Sequence, residues 1–399
     1  MMPDKKNLLI GVSGGIAAFK VCTVASYFTK MGVNVNVVMT EHGAEFVTPL
    51  TFEALTKNPC LTSLFDGKSD DPVAHVNLGR TADCVLIAPA TANVIAKLAN
   101  GIADDMLTST VLAASCKKLV APAMFTGMLE NPATQRNLAR LREDGFEIIE
   151  AEEGRLACGA VGSGRLAEPE VLISAVEQAL FGSTVLKNKR VLITAGATRE
   201  DIDPVRYITN HSSGKMGYAL AKAARSMGAE VELVSGNTAI MPPYGVSTVF
   251  VSSAEEMYNA VLSRAQNADI IVMAAAVADY TPAEKASQKI KKSEGEHALV
   301  LKRTKDILAE IGGNKTRAQI VVGFSMETEN LLENSRKKLL AKNADMIVAN
   351  SIANASTGFG VDTNAAVLIT KSSETETGLL TKDELARLIL EKAAELGTK

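Results

Sequence analysis

The sequence predicts an α/β chain of two doubly wound, mainly parallel domains, and three observations carry that reading. The length of 399 residues fits two or three domains at roughly 150 residues each. Two stretches open alike: NLLIGVSGG, IAAFKVCTVASYFTKMG and VNVNVVMT near the start, and KRVLITAGAT, KMGYALAKAARSMG and AEVELVSG from Lys189 on. Each is a short aliphatic run, a glycine turn, an amphipathic helix closed by Gly and a second strand, which is a βαβ unit with its right-handed crossover. Further aliphatic runs then alternate with helical patterns, as in doubly wound folds.

The first domain continues with strands at Cys84–Ala88 and Lys118–Ala121 and ends in a helical pattern at Val171–Phe181. The seam Gly182-Ser183-Thr184-Val185-Leu186-Lys187-Asn188-Lys189-Arg190 is small and polar, so we divide the chain into 1–186 and 187–399. The second domain adds strands at Ile270–Ala274, Ile320–Gly323 and Met346–Ala349. The first part carries a net charge of −5 and the second +2, within a total of −3.

Composition excludes several classes. A net charge of −3 with no Trp argues against a generic nucleic-acid or anionic-membrane binder. No apolar stretch reaches the roughly 18 residues of a membrane span. The N-terminus lacks a signal-peptide pattern, so a cytoplasmic protein is expected. Five cysteines without a CxxC pair do not make a disulfide framework.

In doubly wound folds ligands bind at the carboxyl ends of the strands. The turn holding Ser13, Gly14 and Gly15 presents backbone N–H groups to an anion; a ligand-free tight turn explains it equally. It is not GxGxxG, and the second strand ends at Thr40 rather than at an acidic ribose holder, which weighs against an NAD(P) oxidoreductase. Ala90-Thr91-Ala92-Asn93 is a second polar turn, with Thr91 placed to cap a helix. His75 is either a structural hydrogen-bonder or a base. Cys158 lies between Gly154 and Gly164, among four glycines in eleven residues, which reads as a mobile loop suited to a closing flap.

In the second domain, Asn210-His211-Ser212-Ser213 precedes Gly214-Lys215, where the Walker A pattern fails at Thr209 and Met216. The strand-end segment Met273-Ala274-Ala275-Ala276-Val277-Ala278-Asp279 allows close backbone approach to a planar ligand. Seven basic residues between Lys285 and Lys305 face two acidic ones, either a solvated face or a triphosphate clamp. Lys338 and Lys342 share a helix face.

VSGGIAAFK, TPLTFEAL, the His75 segment, APATANVIAKLANGIADD, the PAM segment at 122 and ACG at 157 resemble the flavin-containing cysteine decarboxylases. ITAGATRE, DPVRYITNHSSGKMG, AAAVADY and KIKK resemble the phosphopantothenate–cysteine ligases. The order of the two is similar to the bifunctional coenzyme A biosynthesis enzymes of bacteria over essentially the whole chain. The resemblance implies a flavodoxin-like first domain that holds FMN at Ser13, Gly14, Gly15, Thr40, Ala90, Thr91 and Asn93. It implies His75 as base and Cys158 as proton donor in decarboxylation of 4′-phosphopantothenoylcysteine to 4′-phosphopantetheine. For the Rossmann-like second domain it implies CTP and Mg2+, with an acyl-cytidylate handled by Asn210 and Lys289. CTP contacts fall at Met273, Ala274, Ala275, Asp279 (also the metal contact), Lys289, Lys305, Asp306, Ile307, Leu308, Phe324, Lys338 and Lys342. It further implies a homo-oligomer, a trimer or dodecamer through the first domain and a dimer through the second, with the decarboxylase site between subunits.

One departure stands out. Met124, Phe125 and Met128 fill the family's substrate-binding motif, but Phe125 replaces its Asn. This opens an alternative: an active ligase whose decarboxylase half is impaired and acts as a flavin-bound structural or regulatory module.

Overall fold

The computed structural model describes residues 5–65, 71–155, 159, 161–291, 298–327, 329–351 and 361–397. The chain forms two compact units, Met1–Phe181 and Gly182–Lys399.

In the first unit, strands β1 (Asn7–Val12), β2 (Asn34–Met39), β3 (Cys60–Leu61), β4 (Cys84–Ala90), β5 (Lys117–Pro122) and β6 (Glu147–Ile148) form one sheet in the order β3-β2-β1-β4-β5-β6. All its pairings are parallel. Without the two-residue β3, the order is that of the flavodoxin-like doubly wound sheet. Every residue of β4 is buried, because a parallel strand is covered on both faces. On one face Leu9, Val85, Ile87 and Val120 meet helices α5 (Ala92–Ala99), α6 (Met106–Ala113) and α8 (Pro132–Glu143) through Val94, Leu107 and Leu138. Helix α1 (Ala18–Lys30) packs against α3 (Pro49–Thr56) and α9 (Pro169–Phe181), tied to the latter by Tyr27 Oη donating to Glu177 at 2.7 Å. Helices α2 (Glu41–Phe46), α4 (Ala74–Thr81) and α7 (Thr126–Leu129) complete the unit. An antiparallel hairpin, β7 (Glu152–Arg155) and β8 (Val161–Arg165), stands apart from the sheet.

In the second unit, β9 (Arg190–Ala195), β12 (Glu230–Ser235), β13 (Ser247–Phe250), β14 (Ile270–Met273), β17 (Ile320–Glu327), β18 (Met346–Ser351), β19 (Thr363–Thr370) and β20 (Glu374–Thr381) form an eight-stranded sheet. Its order is β13-β12-β9-β14-β17-β18-β19-β20. The first six of these in chain order pair in parallel and the last two antiparallel. Ile193, Leu233, Val272 and Val322 face α10 (Lys215–Ser226) and α14 (Lys382–Leu396). Leu192, Val234, Ile271 and Val321 face α11 (Ala254–Ala265) and α12 (Ile307–Asn314). Helix α13 (Leu331–Ala341) covers β17 and β18. Two small hairpins, β10 (Arg199–Asp201) with β11 (Tyr207–Thr209) and β15 (Tyr280–Pro282) with β16 (Leu301–Arg303), lie outside the sheet. Among the described residues, no helix is long and apolar enough to cross a membrane.

The stretch from Gly154 to Arg165 departs from the loop expected of it, since its arms pair as β7 and β8. Gly164 has φ +124°, and a Cβ there would sit on the Met124 carbonyl. Glycine at this position permits close packing rather than mobility. Residues 156–158, with Cys158, lie outside the described residues.

Candidate functional site: two strand-end clefts

In the first unit the turns after β1, β2 and β4 are bound to each other. Ser13 is fully buried. Its hydroxyl donates to the Pro89 carbonyl at 2.6 Å and accepts from Thr91 N at 3.1 Å. Thr91 in turn caps α5, as its sequence position predicts, by accepting from Val94 N at 3.4 Å. Thr40 caps α2, accepting from Gly43 N at 3.1 Å. Gly14 closes this arrangement: a Cβ there would lie 2.5 Å from His42 Cβ. The N-terminus of α5 therefore faces the cleft with its positive end.

The cleft has two lobes that share Gly14, Thr91 and Met128. The wider, about 710 Å3, takes Thr40 and Asn93 from the predicted set and adds His42, Ser63, Lys97 and Asp105. Lys97 is held by Asp104 at 2.7 Å and Asp105 at 2.9 Å, hydrogen bonds that raise its pKa and keep it charged. The narrower lobe, about 370 Å3, is lined by Gly15, Met124, Phe125, Arg155 and Arg165 among others. Phe125 is half exposed, with its ring against Gly127.

The β7–β8 hairpin is seated on this lobe. Met124 N donates to the Gly164 carbonyl at 3.0 Å, and the Thr126 hydroxyl donates to the Ser163 carbonyl at 2.6 Å. At its base Arg165 bridges Glu152 at 2.6 Å and Glu168 at 3.0 Å, and Lys20 reaches Glu168 at 2.9 Å. His75 is half buried on α4 and lines neither lobe; the fully buried Ser13 and Ala90 do not line them either.

The second unit has a cleft of about 470 Å3 at the carboxyl ends of β14 and β17. It brings together Met273, Ala275, Asp279, Lys305, Asp306, Ile307, Leu308, Phe324, Lys338 and Lys342. Thr194 and Thr198 hydroxyls accept from Ala275 N at 3.1 Å and Ala278 N at 3.0 Å, fixing the small-residue segment. Thr304 ties β16 to the same segment, its N donating to the Asp279 carbonyl at 3.0 Å and its hydroxyl to the Ala278 carbonyl at 2.6 Å. Asp306 caps α12 and pairs with Lys342 at 2.5 Å. Burial pushes the Asp306 carboxyl up, but the bonds from Lys342 and Ala309 N outweigh it and leave it below its ordinary value. Lys338 donates to the Phe324 carbonyl at 2.9 Å, and Lys305 lies 4.5 Å over the Tyr258 ring.

Asn210 donates to the Ala276 carbonyl at 3.1 Å, beside this cleft rather than in its wall. Ala274 and Lys289 do not line it. Tyr280, Arg303 and Thr304 do; the AAAVADY segment and the basic run through Lys305 mark the first two in the sequence, and Thr304 carries no such signal. No group of three or more His, Cys, Asp or Glu among the described residues is placed to hold a metal ion.

Comparison with known proteins gives first a class and then a family. Residues 1–181 match the family model "Flavoprotein", and residues 186–396 match "DNA/pantothenate metabolism flavoprotein C-terminal domain". The chain is thus a flavoprotein of pantothenate metabolism. It is 47% identical over 399 residues to the coenzyme A biosynthesis bifunctional protein CoaBC of Bacillus subtilis (strain 168), covering 99% of this chain and 98% of that one. It is 44% identical over 393 residues to the protein of the same name from Vibrio parahaemolyticus serotype O3:K6 (strain RIMD 2210633), covering 98% of each. A crystal structure of the C-terminal domain of a CoaBC protein is 46% identical, covers 54% of this chain and 98% of that chain, and superposes with a TM-score of 0.47. The chain belongs to the family of bifunctional coenzyme A biosynthesis proteins. It is an enzyme with two activities, a phosphopantothenate–cysteine ligase and a phosphopantothenoylcysteine decarboxylase. The reading in which Phe125 leaves the flavin half without activity finds no support in these comparisons.

Proposed function

We propose that the second unit makes 4′-phosphopantothenoylcysteine from 4′-phosphopantothenate, cysteine and CTP, and that the first unit decarboxylates it with FMN. The observation that carries the ligase half is the convergence of Asp279, Lys305–Leu308, Phe324, Lys338 and Lys342 on one cleft. The phosphopantothenate carboxylate attacks the CTP α-phosphate, a new P–O bond forms, and pyrophosphate leaves. The cysteine amine then attacks the acyl carbon and CMP departs. Lys305, Lys338 and Lys342 offset the phosphate charge, which in a partly enclosed cleft is worth more than in water. Asn210 holds the acyl-cytidylate and Lys289 serves the second step. A single carboxylate, Asp279, suits Mg2+, which is usually bound by one or two carboxylates together with substrate phosphates.

For FMN, the fit rests on the two-lobed cleft and on Gly15, where a Cβ would meet the protein no closer than 3.5 Å. That leaves the turn open on the side of the cleft. Gly14, Gly15, Thr40, Thr91 and Asn93 would contact the cofactor, while the buried Ser13 and Ala90 would support the turns that present them. FMN held there would supply reversible two-electron redox chemistry. His75 takes the thiol proton, as an imidazole can near neutral pH, and Cys158 returns one. Met124, Phe125 and Met128 wall the substrate. Because His75 lies outside both lobes of its own chain, we assign it to the site of a neighbouring copy in a trimer or dodecamer. Exposed Val205, Tyr207, Val300 and Leu301 suit a dimer contact in the second unit. With these substrates we infer a cytoplasmic enzyme. The test is release of CMP and pyrophosphate that requires CTP, phosphopantothenate and cysteine together, and its loss in Lys289→Gln.

A further inference from the structure

The loop that carries Lys289 is stitched to the β10–β11 hairpin at three points. Lys285 pairs with Asp201 at 2.5 Å, Ala286 N donates to the Ile202 carbonyl at 3.0 Å, and Ile290 is gripped through both of its backbone groups. Ile290 N donates to Asp203 Oδ2 at 3.1 Å, and the Ile290 carbonyl accepts from Arg206 Nη2 at 2.9 Å.

Asp203 is the hub. Its side chain is fully buried while that of Arg206 is half exposed. Oδ1 accepts from Val205 N at 2.8 Å and Arg206 N at 2.9 Å. Oδ2 accepts from Arg206 Nε at 3.0 Å, Arg206 Nη2 at 2.5 Å and Ile290 N. The Arg206 guanidinium holds the Asp203 carboxyl far below the usual carboxylate range. The bonds to Val205 N and Arg206 N are those of a local side-chain turn and suffice to close the hairpin. The reach to Ile290, 87 residues on in the chain, does something else. It fixes the peptide next to Lys289. The same hairpin runs through β11 directly into Asn210, whose side chain is bonded at Ala276.

We propose that Asp203 is a positioning residue of the ligase: its Oδ2 fixes the Ile290 peptide and so holds Lys289 and Asn210 on one frame. The proposal rests on the reading of Lys289 as a residue of the ligase step. Lys289 is exposed and lies outside any helix or strand, so this grip at the neighbouring residue limits where its ammonium goes. A misplacement of about 1 Å costs up to roughly a hundredfold in rate.

The test uses the full chain with Asp203→Asn, and Lys289→Gln as reference. Asparagine keeps one oxygen for the turn but sets an amide donor against the Arg206 and Ile290 donors, so the hairpin closes and the grip is lost. The expected result is a ligase kcat lower by roughly tenfold or more, with KM for CTP changed by less than about twofold, because Asp203 is not part of the cleft wall. Trypsin should also cut faster at Lys285, Lys289 or Lys291. If Asp203→Asn does not fold, Ile290→Pro removes the N–H donor, while also fixing φ at 290 and restricting Lys289 before it, and should give the same kcat loss. A kcat within about twofold of the parent in the folded variant, with Lys289→Gln inactive, overturns the clamp and leaves the role of Lys289 standing. An active Lys289→Gln overturns both.

Discussion

Ser13 and Thr91 join the turns after the two central strands of the first unit: Thr91 N donates to Ser13 Oγ at 3.1 Å, and the same hydroxyl donates to the Pro89 carbonyl at 2.6 Å. Ser13→Ala leaves the Thr91 N–H without its partner and the Pro89 carbonyl with only the 3.4 Å bond from Ser13 N. The expected cost is about 1–3 kcal/mol, read as a lower melting temperature. The displaced turn should also hold FMN less tightly, measured as flavin absorbance retained through gel filtration. An unchanged melt and full flavin retention would remove this bridge from the account.

Gly14 and Gly15 separate a structural demand from a ligand demand. Gly14→Ala drives a methyl group to 2.5 Å from His42 Cβ and should destabilise the unit by about 1–3 kcal/mol. Gly15→Ala meets only Pro89, at 3.5 Å, so its melting temperature without flavin should match the parent. If FMN lies over this turn, Gly15→Ala still weakens flavin binding. Equal flavin affinity in the Gly15 variant would place the cofactor elsewhere.

The Lys342–Asp306 pair sits in the wall of the nucleotide cleft. Lys342→Gln should raise KM for CTP about tenfold, the scale of one charge-assisted hydrogen bond. The Asp306 carboxyl lies below its ordinary value, so its charge is present above the usual carboxylate range and is lost only as pH falls through that lowered value. KM for CTP should therefore stay flat from pH 8 down to about 5. A rise centred between pH 6 and 7 would mean that another group controls binding.

Phe125 supplies an apolar wall where the resemblance leads one to expect an amide. Phe125→Asn offers the substrate carboxylate a donor, so KM for phosphopantothenoylcysteine should fall by about tenfold, the scale of one hydrogen bond to a charged group. That charge is lost as CO2 forms, so kcat should not rise in parallel. An unchanged KM would show that residue 125 does not face the carboxylate.

Much of this molecule is legible in its sequence because parallel strands are covered on both faces and read as uninterrupted aliphatic runs. CVLIA at 84, IIVM at 270 and MIVA at 346 therefore mark β4, β14 and β18 directly. The small hairpins are less legible. Asp203 and Arg206 read as ordinary loop polars, since the partner that gives them meaning, Ile290, is more than 80 residues away. The β19–β20 pair went unpredicted because ETETGLLT is mostly exposed and polar. The glycines from 154 to 164 signalled mobility, whereas Gly164 instead allows the hairpin to lie on Met124. Lys338, Lys342 and the Lys305–Leu308 turn, which the resemblance implies as CTP contacts, line one cleft together with Arg303 from the basic run.

The most direct test of two activities in one chain is CO2 release from 4′-phosphopantothenoylcysteine by the purified, flavin-loaded protein with Phe125 in place. The account predicts CO2 and 4′-phosphopantetheine in equal amounts, with no added oxidant. A yellow, ligase-active protein that releases no CO2 would contradict it.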